Sequence, residues 1–168
     1  MSSVESRIEE LIPGLRRYAR ALTGNISTAD DLVQDCLERA LSRLSLWRHG
    51  SDLRAWLFTI MRNVWFNQLS RNRARPDMAG SEDGLDQIST PASQTDQLVM
   101  RDLASALEQL APEQREVVLL VGLEGMSYAE VADVTGAPLG TVMSRLKRGR
   151  DRLSQLMNGS ESLIRRVK

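Results

Sequence analysis

Apolar residues recur at intervals of three and four along most of the chain, which is the period of an amphipathic helix. This spacing predicts a first helix that ends at Gly24 and a second that Ser27 or Thr28 caps, with two aspartates in its first turn. Asp52 is predicted to cap a third helix, which runs to about Arg73. No stretch shows the alternation of a strand, so the pattern predicts an all-α protein.

Helical periodicity resumes at Leu98 and continues past Leu156. Ser127 and Glu130 have the S-x-x-E spacing of a capping box, which predicts the start of a short helix. Residues 136–138 (Gly-Ala-Pro) form a turn, and a last helix begins near Gly140. A short capped helix, a glycine-containing turn and a second helix are typical of a helix-turn-helix, in which the second helix enters the DNA major groove.

The stretch between the two helical parts has a different composition. Residues 76–97 contain two prolines, two glycines, five acidic side chains and no basic one. This composition is typical of a flexible linker. We therefore expect two small helical domains, residues 1–75 and 98–168, joined by a flexible acidic linker.

The formal net charge is zero, but the charge is unevenly distributed. Residues 1–75 carry a net charge of +4 and residues 141–168 carry +6, whereas residues 76–97 and 98–140 each carry −5. The two basic zones suit polyanions and the acidic middle repels them. Solvated helix faces remain a second explanation for the basic zones.

Composition excludes several function classes. The 168 residues include one cysteine, Cys36, and one histidine, His49, so an internal disulfide is impossible and a zinc site is disfavoured. No cofactor is expected. The chain has no apolar run long enough for a membrane span and no secretory signal near its start, so we expect no membrane insertion and a reducing, cytoplasmic setting.

The last helix presents polar and basic side chains opposite its own apolar stripe. Val142 and Leu146 face the domain core at helical spacing, which leaves the other face for DNA. The basic side chains reach guanine edges and phosphates, and the helix N-terminus meets a phosphate. The residues predicted to contact duplex DNA are Thr141, Met143, Ser144, Arg145, Lys147 and Arg148.

Four of the seven aromatic residues fall within eleven residues of the third helix. They are Trp56, Phe58, Trp65 and Phe66. Arginines and asparagines are interleaved with them or follow them, including Arg62, Asn63, Asn67 and Arg71. Exposed aromatic rings beside arginines stack on unpaired bases, and an amide such as that of Asn63 reads the edge of a flipped base. The alternative, that the rings pack against neighbouring helices, stays open here.

The second helix has an acidic and amide-bearing face. Its polar residues are Asp31, Gln34, Asp35 and Glu38. This face repels DNA and suits a basic protein surface, although an ordinary solvated face gives the same pattern. A metal-dependent nuclease needs clustered carboxylates, but the position of the aspartates on an amphipathic helix explains them more simply. Cys36 lies on the buried stripe, where a packed thiol is expected.

Five motifs, taken in order, resemble those of the extracytoplasmic-function (ECF) sigma factors of bacterial RNA polymerase. They are 30–35 (DDLVQD), 53–57 (LRAWL), 110–116 (LAPEQRE), 127–132 (SYAEVA) and 140–146 (GTVMSRL). The resemblance covers nearly the whole chain. It implies a promoter-recognition subunit with no catalysis of its own, which acts in a stress or envelope response and is held inactive by an anti-sigma factor.

The resemblance also implies roles for individual residues. The first domain, sigma region two, would bind the core polymerase through Asp31, Gln34, Asp35, Leu37 and Glu38. It would melt the minus-10 promoter element and hold its flipped base through Trp56, Arg62, Asn63, Asn67 and Arg71. The linker would thread toward the polymerase active site and the RNA exit path. The second domain, sigma region four, would read the minus-35 element.

Three departures from the family pattern are present, one of which involves two adjacent residues. The chain has Asn67 where an acidic residue is common, Ser70 and Arg71 where paired arginines are common, and Met143 where a basic residue is common. These departures affect the expected promoter preference more than the expected function. A sigma mimic that sequesters an anti-sigma factor without binding DNA is the alternative, and the basic face of the last helix argues against it.

Overall fold

The computed structural model describes residues 3–74 and 93–167, with side chains described up to residue 159. Within these residues the chain forms helices and no strands, which confirms the all-α prediction. The helices are α1 (Val4–Thr23), α2 (Ile26–Ser42), α3 (Leu53–Ala74), α4 (Gln94–Glu108), α5 (Pro112–Gly122), α6 (Tyr128–Thr135) and α7 (Leu139–Val167). A 3-10 turn at Leu44–Leu46 follows α2. Most of the predicted linker, residues 76–92, lies outside the described residues.

The boundary between α1 and α2 shows which side chain caps a helix. Gly24 ends α1 with a φ of 70°, as predicted. The side chain of Asn25 then caps α2 by accepting a hydrogen bond of 2.9 Å from the backbone N–H of Thr28. The prediction of Ser27 or Thr28 as the cap is therefore wrong, and no acidic residue lies in the first turn of α2. Asn25 has extended backbone directly after Gly24, so the helix starts before the predicted caps.

The C-terminal helices begin largely where the sequence signals place them. Ser93 caps α4, which begins at Gln94, four residues before the predicted start. Ser127 and Glu130 form both halves of the predicted capping box, with hydrogen bonds of 3.2 and 2.7 Å. Gly136 ends α6 with a φ of 71° and α7 follows, so the helix-turn-helix is present.

Two lobes pack directly against each other. The N-terminal lobe consists of α1, α2 and α3, and the C-terminal lobe consists of α4 to α7, with α7 packed on α4, α5 and α6. Between the lobes, α1 contacts α4 and α5, and α3 contacts α6. The first helix of the helix-turn-helix therefore lies on the helix that was predicted to capture unpaired bases.

Gly149 allows the close approach of α7 to α5. A Cβ atom at this position would lie 2.6 Å from Cγ2 of Val118, which is too close for an unstrained contact.

We expect Gly149→Ala to lower the free energy of unfolding by about 1–3 kcal/mol, because overpacking outweighs the gain in helix propensity. Urea unfolding measures this change. The control is Gly159→Ala on the same helix, where an added Cβ would meet none of the described atoms within 4 Å, and it should leave stability equal or raise it. An unchanged Gly149→Ala protein would contradict the expected crowding.

Candidate nucleic-acid interface

Helix α7 has an apolar side that is buried and a mostly polar side that is exposed. Val142 and Leu146 are buried, as predicted, and they pack within the core of the C-terminal lobe. On the other face four of the predicted duplex-contacting residues are exposed, namely Met143, Ser144, Lys147 and Arg148. Thr141 and Arg145 are half-buried at its margin. The structure thus brings this set together on one accessible surface.

Helix α3 holds the residues predicted to act on the minus-10 element, and they differ in accessibility. Asn63, Asn67 and Arg71 are exposed, whereas Trp56 and Arg62 are half-buried. Arg62 donates a hydrogen bond from Nε to the carboxylate of Glu116 in the C-terminal lobe. Its guanidinium also lies 4.5 Å from the centre of the Phe66 ring. In this arrangement the side chain of Arg62 is bound to the C-terminal lobe.

Two of the aromatic residues of α3 are core residues. Phe58 is buried and packs edge-on against Tyr18 of α1, with ring centres 5.2 Å apart. Trp65 is also buried, next to the half-buried Phe66. Of the two interpretations that the sequence left open, packing against neighbouring helices is therefore the correct one for Phe58 and Trp65. Because α3 packs against α1, α2 and α6, it buries more than one face, and its apolar side chains are not confined to a single stripe.

The acidic face of α2 points away from the lobe core. Asp31, Gln34 and Glu38 are exposed, and Asp35 and Leu37 are half-buried. The amide of Gln34 donates a hydrogen bond of 3.3 Å to Glu38. The acidic and amide side chains of this face follow one another at about one helical turn, and Leu37 is the apolar side chain at its edge. Such a face complements a basic protein surface.

Besides Glu116, a second acidic residue of the C-terminal lobe, Glu124, connects the two lobes. This contact was not predicted from the sequence. Its side chain is 1% exposed and accepts bonds of 3.0 and 2.9 Å from Arg17 of α1. Arg54 of α3 donates to the backbone oxygen of Glu124 and lies 3.4 Å from its carboxylate. The hydrogen bonds between Arg17 and the carboxylate of Glu124 raise the pKa of Arg17. One buried carboxylate in the C-terminal lobe thereby holds two helices of the other lobe.

Arg115 adds a polar link between the lobes. It donates to the carbonyl oxygen of Leu22 at 3.0 Å, and within its own lobe to those of Leu107 and Glu108 at 2.7 and 2.8 Å. The Leu22 bond satisfies a carbonyl in the last turn of α1. Burial lowers the pKa of Arg115, opposed by the nearby charge of Glu108.

Glu116 is fully buried at the interface between the lobes. Burial raises its pKa to about 7, opposed by the positive charges of Arg62 and Arg145, while Glu113 raises it further. Burial raises the pKa of Tyr18 of α1, and the negative charge of Glu116 raises it further. Among the described residues, no hydrogen-bond partner satisfies Oε2 of Glu116. The interface between the lobes thus contains a carboxyl group, that of Glu116, with a pKa near neutral pH.

The buried carboxyl predicts a pH dependence of stability. A group whose pKa rises from 4.5 to about 7 on folding holds its proton more tightly in the folded state. Its stabilising contribution is complete below pH 4.5 and is lost as the pH rises through about 7, by at most about 3 kcal/mol. We expect the wild-type protein to lose stability over this range relative to Glu116→Gln, measured by urea unfolding at several pH values. Parallel pH curves for the two proteins would contradict this.

Two further candidates for chemistry are the thiol of Cys36 and a cluster of metal-ligating side chains. Cys36 is buried, its thiol lies 3.4 Å from the carbonyl oxygen of Leu57, and burial raises its pKa to about 12. The thiol therefore stays protonated at neutral pH, as a packed cysteine does. Searching the described side chains reveals no cluster of three or more histidine, cysteine, aspartate or glutamate residues suited to a metal ion.

Comparison with known proteins identifies the family. Residues 8–62 match the family described as the Sigma2 domain of PhyR, and residues 100–153 match Sigma-70, region 4. The chain is 39% identical over 155 residues to the ECF RNA polymerase sigma factor EcfG of Rhodopseudomonas palustris (strain TIE-1), covering 92% of this chain and 85% of that relative. The chain belongs to the ECF RNA polymerase sigma factors. This sigma factor therefore acts in transcription initiation, as the sequence motifs implied.

Solved structures share the fold of this sigma factor. The sigma factor RpoE from Bartonella quintana, co-crystallised with the anti-sigma factor NepR, matches with a TM-score of 0.77 and 35% identity over 92% of this chain and 96% of that chain. The anti-anti-sigma factor PhyR from the same organism, complexed with NepR, matches with a TM-score of 0.63 and 20% identity over 91% of this chain and 50% of that chain. The second likeness shows a common fold alone. In the described part of this sigma factor, no helix combines the length and apolar character needed to cross a bilayer.

Proposed function

We propose that this sigma factor directs the core polymerase to its promoters through three separate surfaces. Helix α7 reads the minus-35 element as duplex, α3 helps to melt the minus-10 element, and the acidic face of α2 binds the core enzyme. Residues 1–75 form the region-two domain, residues 76–97 the linker and residues 98–168 the region-four domain. The protein acts in the cytoplasm in a stress or envelope response, and it has no enzymatic activity of its own.

The observation that carries the proposal is the two-sided character of α7. Its apolar side is buried in the lobe, while Ser144, Lys147 and Arg148 are exposed together on the other side of the second helix of a helix-turn-helix. In this motif the exposed side of the second helix contacts base edges in the major groove. Lysine and arginine are the side chains best suited to the O6 and N7 acceptors of guanine. The match of this region to Sigma-70 region 4 supports the same role.

The second surface, on α3, is only partly free in the compact arrangement. Asn63, Asn67 and Arg71 are exposed, but Arg62 is engaged by Glu116. We infer that the lobes separate when the polymerase docks, which releases Arg62 for DNA. Docking also fixes the spacing of two weak DNA contacts and so converts them into one strong contact.

Reconstitution with core polymerase tests the proposal. The free protein should bind promoter DNA weakly, and the holoenzyme should bind it tightly and produce run-off transcripts from it. Mutation of the exposed acidic face, Asp31→Lys with Glu38→Lys, should reduce binding to the core enzyme. Equal promoter affinity with and without polymerase, or no transcript from any promoter in a selected library, would contradict the proposal.

An anti-sigma factor is the proposed regulator. The similar protein RpoE forms a complex with the anti-sigma factor NepR, and the chain covers 96% of its length. We infer that a protein of this kind holds the present sigma factor inactive. Pull-down with a candidate anti-sigma factor, followed by loss of run-off transcription when it is added, tests this inference.

The second candidate function is sequestration of an anti-sigma factor by a sigma mimic. The match of residues 8–62 to the Sigma2 domain of PhyR favours it, because PhyR is described as an anti-anti-sigma factor. The 39% identity to EcfG over most of both chains, and the exposed basic face of α7, favour a functional sigma factor. A mimic would bind the anti-sigma factor yet support no run-off transcription with core polymerase.

A further inference from the structure

An apolar spot lies within the predicted reading face of α7. Met143 is 50% exposed, and Tyr128, the first residue of α6, is 38% exposed. Both line one shallow depression of about 450 Å³. The other residues that line it are Ser144, Leu146, Lys147, Arg150 and Asp151. Met143, one of the residues predicted to contact DNA, and the ring of Tyr128, which was not among them, are therefore exposed to solvent in the same depression.

The chemistry of Met143 differs from that of its neighbours. Its side chain has no N–H or O–H group, so it offers no donor to the acceptors of guanine or adenine. In the major groove the 5-methyl group of thymine is the apolar feature of a base pair, and protein side chains contact it through apolar atoms. Methionine is flexible and polarisable, so it adapts to such a group without a fixed cavity.

The surroundings favour DNA as the occupant of this spot. Lys147 and Arg150 line the same depression and give it two positive charges against the one negative charge of Asp151, which suits a polyanion such as DNA. Ser144 lies next to Met143 in sequence and is exposed beside it. An apolar protein partner would have to desolvate these charged side chains, which is costly without matching acids.

We propose that Met143, with Tyr128 beside it, contacts the 5-methyl group of one thymine in the minus-35 duplex and sets the base preference at that position. The proposal rests on the proposed function, because it requires α7 to lie in the major groove. It names Met143 as a specificity-determining residue. Lys147 and Arg148 supply most of the affinity, and Met143 selects one base pair.

Deoxyuridine provides the direct test, because it differs from thymidine only in lacking the 5-methyl group. Promoters are first selected with the reconstituted holoenzyme, and each thymine of the minus-35 element is then replaced in turn. We expect one position to weaken holoenzyme binding about three- to five-fold, the size expected for one buried methyl group. Deoxyuridine placed in the spacer between the two elements serves as the DNA control.

Three protein variants complete the test. Met143→Ala should bind thymine and deoxyuridine duplexes equally at the sensitive position, while Met143→Leu should keep most of the difference. Met143→Arg should shift the selected base toward guanine. The matched control is Leu139→Ala, because Leu139 is equally exposed on α7 but outside the depression, and it should keep the full difference. Circular dichroism verifies that each variant retains its helices.

The outcomes separate this proposal from the function on which it rests. If no thymine position is sensitive, or if Met143→Ala keeps the sensitivity, the methyl contact is overturned although transcription continues. A selected minus-35 element without thymine overturns it as well. If the holoenzyme binds and transcribes no promoter, the proposed function fails, and this proposal fails with it.

Discussion

Replacing both Lys147 and Arg148 with alanine is expected to reduce run-off transcription by the holoenzyme about 100-fold at promoters with a minus-35 element. Both side chains are exposed on the side of α7 that faces away from the lobe core. Each well-placed contact with a base edge contributes about 1–3 kcal/mol of discrimination, so the loss of two contacts corresponds to about 2–6 kcal/mol, which is a loss of about 30-fold or more. The measurement is transcript yield at limiting holoenzyme concentration.

A charge-matched control distinguishes base reading from general attraction to DNA. Arg43 and Arg48 are exposed on the N-terminal lobe, outside the three proposed surfaces, so Arg43→Ala with Arg48→Ala removes the same charge. This control should lower transcription only slightly, and core polymerase binding should be normal for both double variants. Wild-type transcript yield from the Lys147 and Arg148 double variant would refute the assignment of α7 as the minus-35 reader.

Reversing the charge of Glu124 is expected to separate the lobes. Glu124→Lys places a third positive charge beside Arg17 and Arg54, in a position where a carboxylate accepted hydrogen bonds from both. Loss of one partner from a buried pair costs about 3–5 kcal/mol, and the partial exposure of the two arginines reduces this to roughly 1–3 kcal/mol. Interlobe distances measured between spin labels should therefore become longer and more broadly distributed.

The buried cysteine makes this labelling experiment simple. Cys36 stays protonated and inaccessible, so labels attach only to cysteines introduced at exposed positions such as Ser45→Cys and Ser154→Cys. The control Asp133→Lys makes the same charge reversal at an exposed position of α6 and should leave the distances unchanged. A narrow distribution at the wild-type distance in Glu124→Lys would show that this carboxylate does not hold the lobes together.

Local signals in the sequence predicted local structure well. The capping box at Ser127 and Glu130 and the stop at Gly24 depend on residues within one turn, and both are present as predicted. The buried and exposed sides of α7 follow from helical spacing alone. The cap of α2 was misassigned because Asn25, Ser27 and Thr28 are all good capping residues, and the chain direction after Gly24 determines which one is used.

Contacts between distant residues were not predictable from the sequence. Arg17 and Glu124 are 107 positions apart, and helical spacing carries no information about such a pair. Phe58 and Trp65 lie off the main stripe of α3, and they are buried because α3 packs against several helices, with Phe58 against Tyr18 of α1. The one available signal was the presence of Glu116 and Glu124 at either end of an apolar run, since a carboxylate in such a run is often buried with a partner.

The contact of α6 with α3 has a consequence for how this sigma factor searches the genome. With the lobes packed, Arg62 is held by Glu116 and only part of the proposed strand-binding surface on α3 is free, so we expect the free protein to bind single strands exposed by replication or repair more weakly than an open form would. The apparent affinity for an unpaired strand is the intrinsic affinity multiplied by the fraction of molecules that are open. Each 1.4 kcal/mol of lobe packing lowers that fraction about tenfold, and only a partner that binds both lobes, as the polymerase is proposed to do, offsets this cost with its own binding energy.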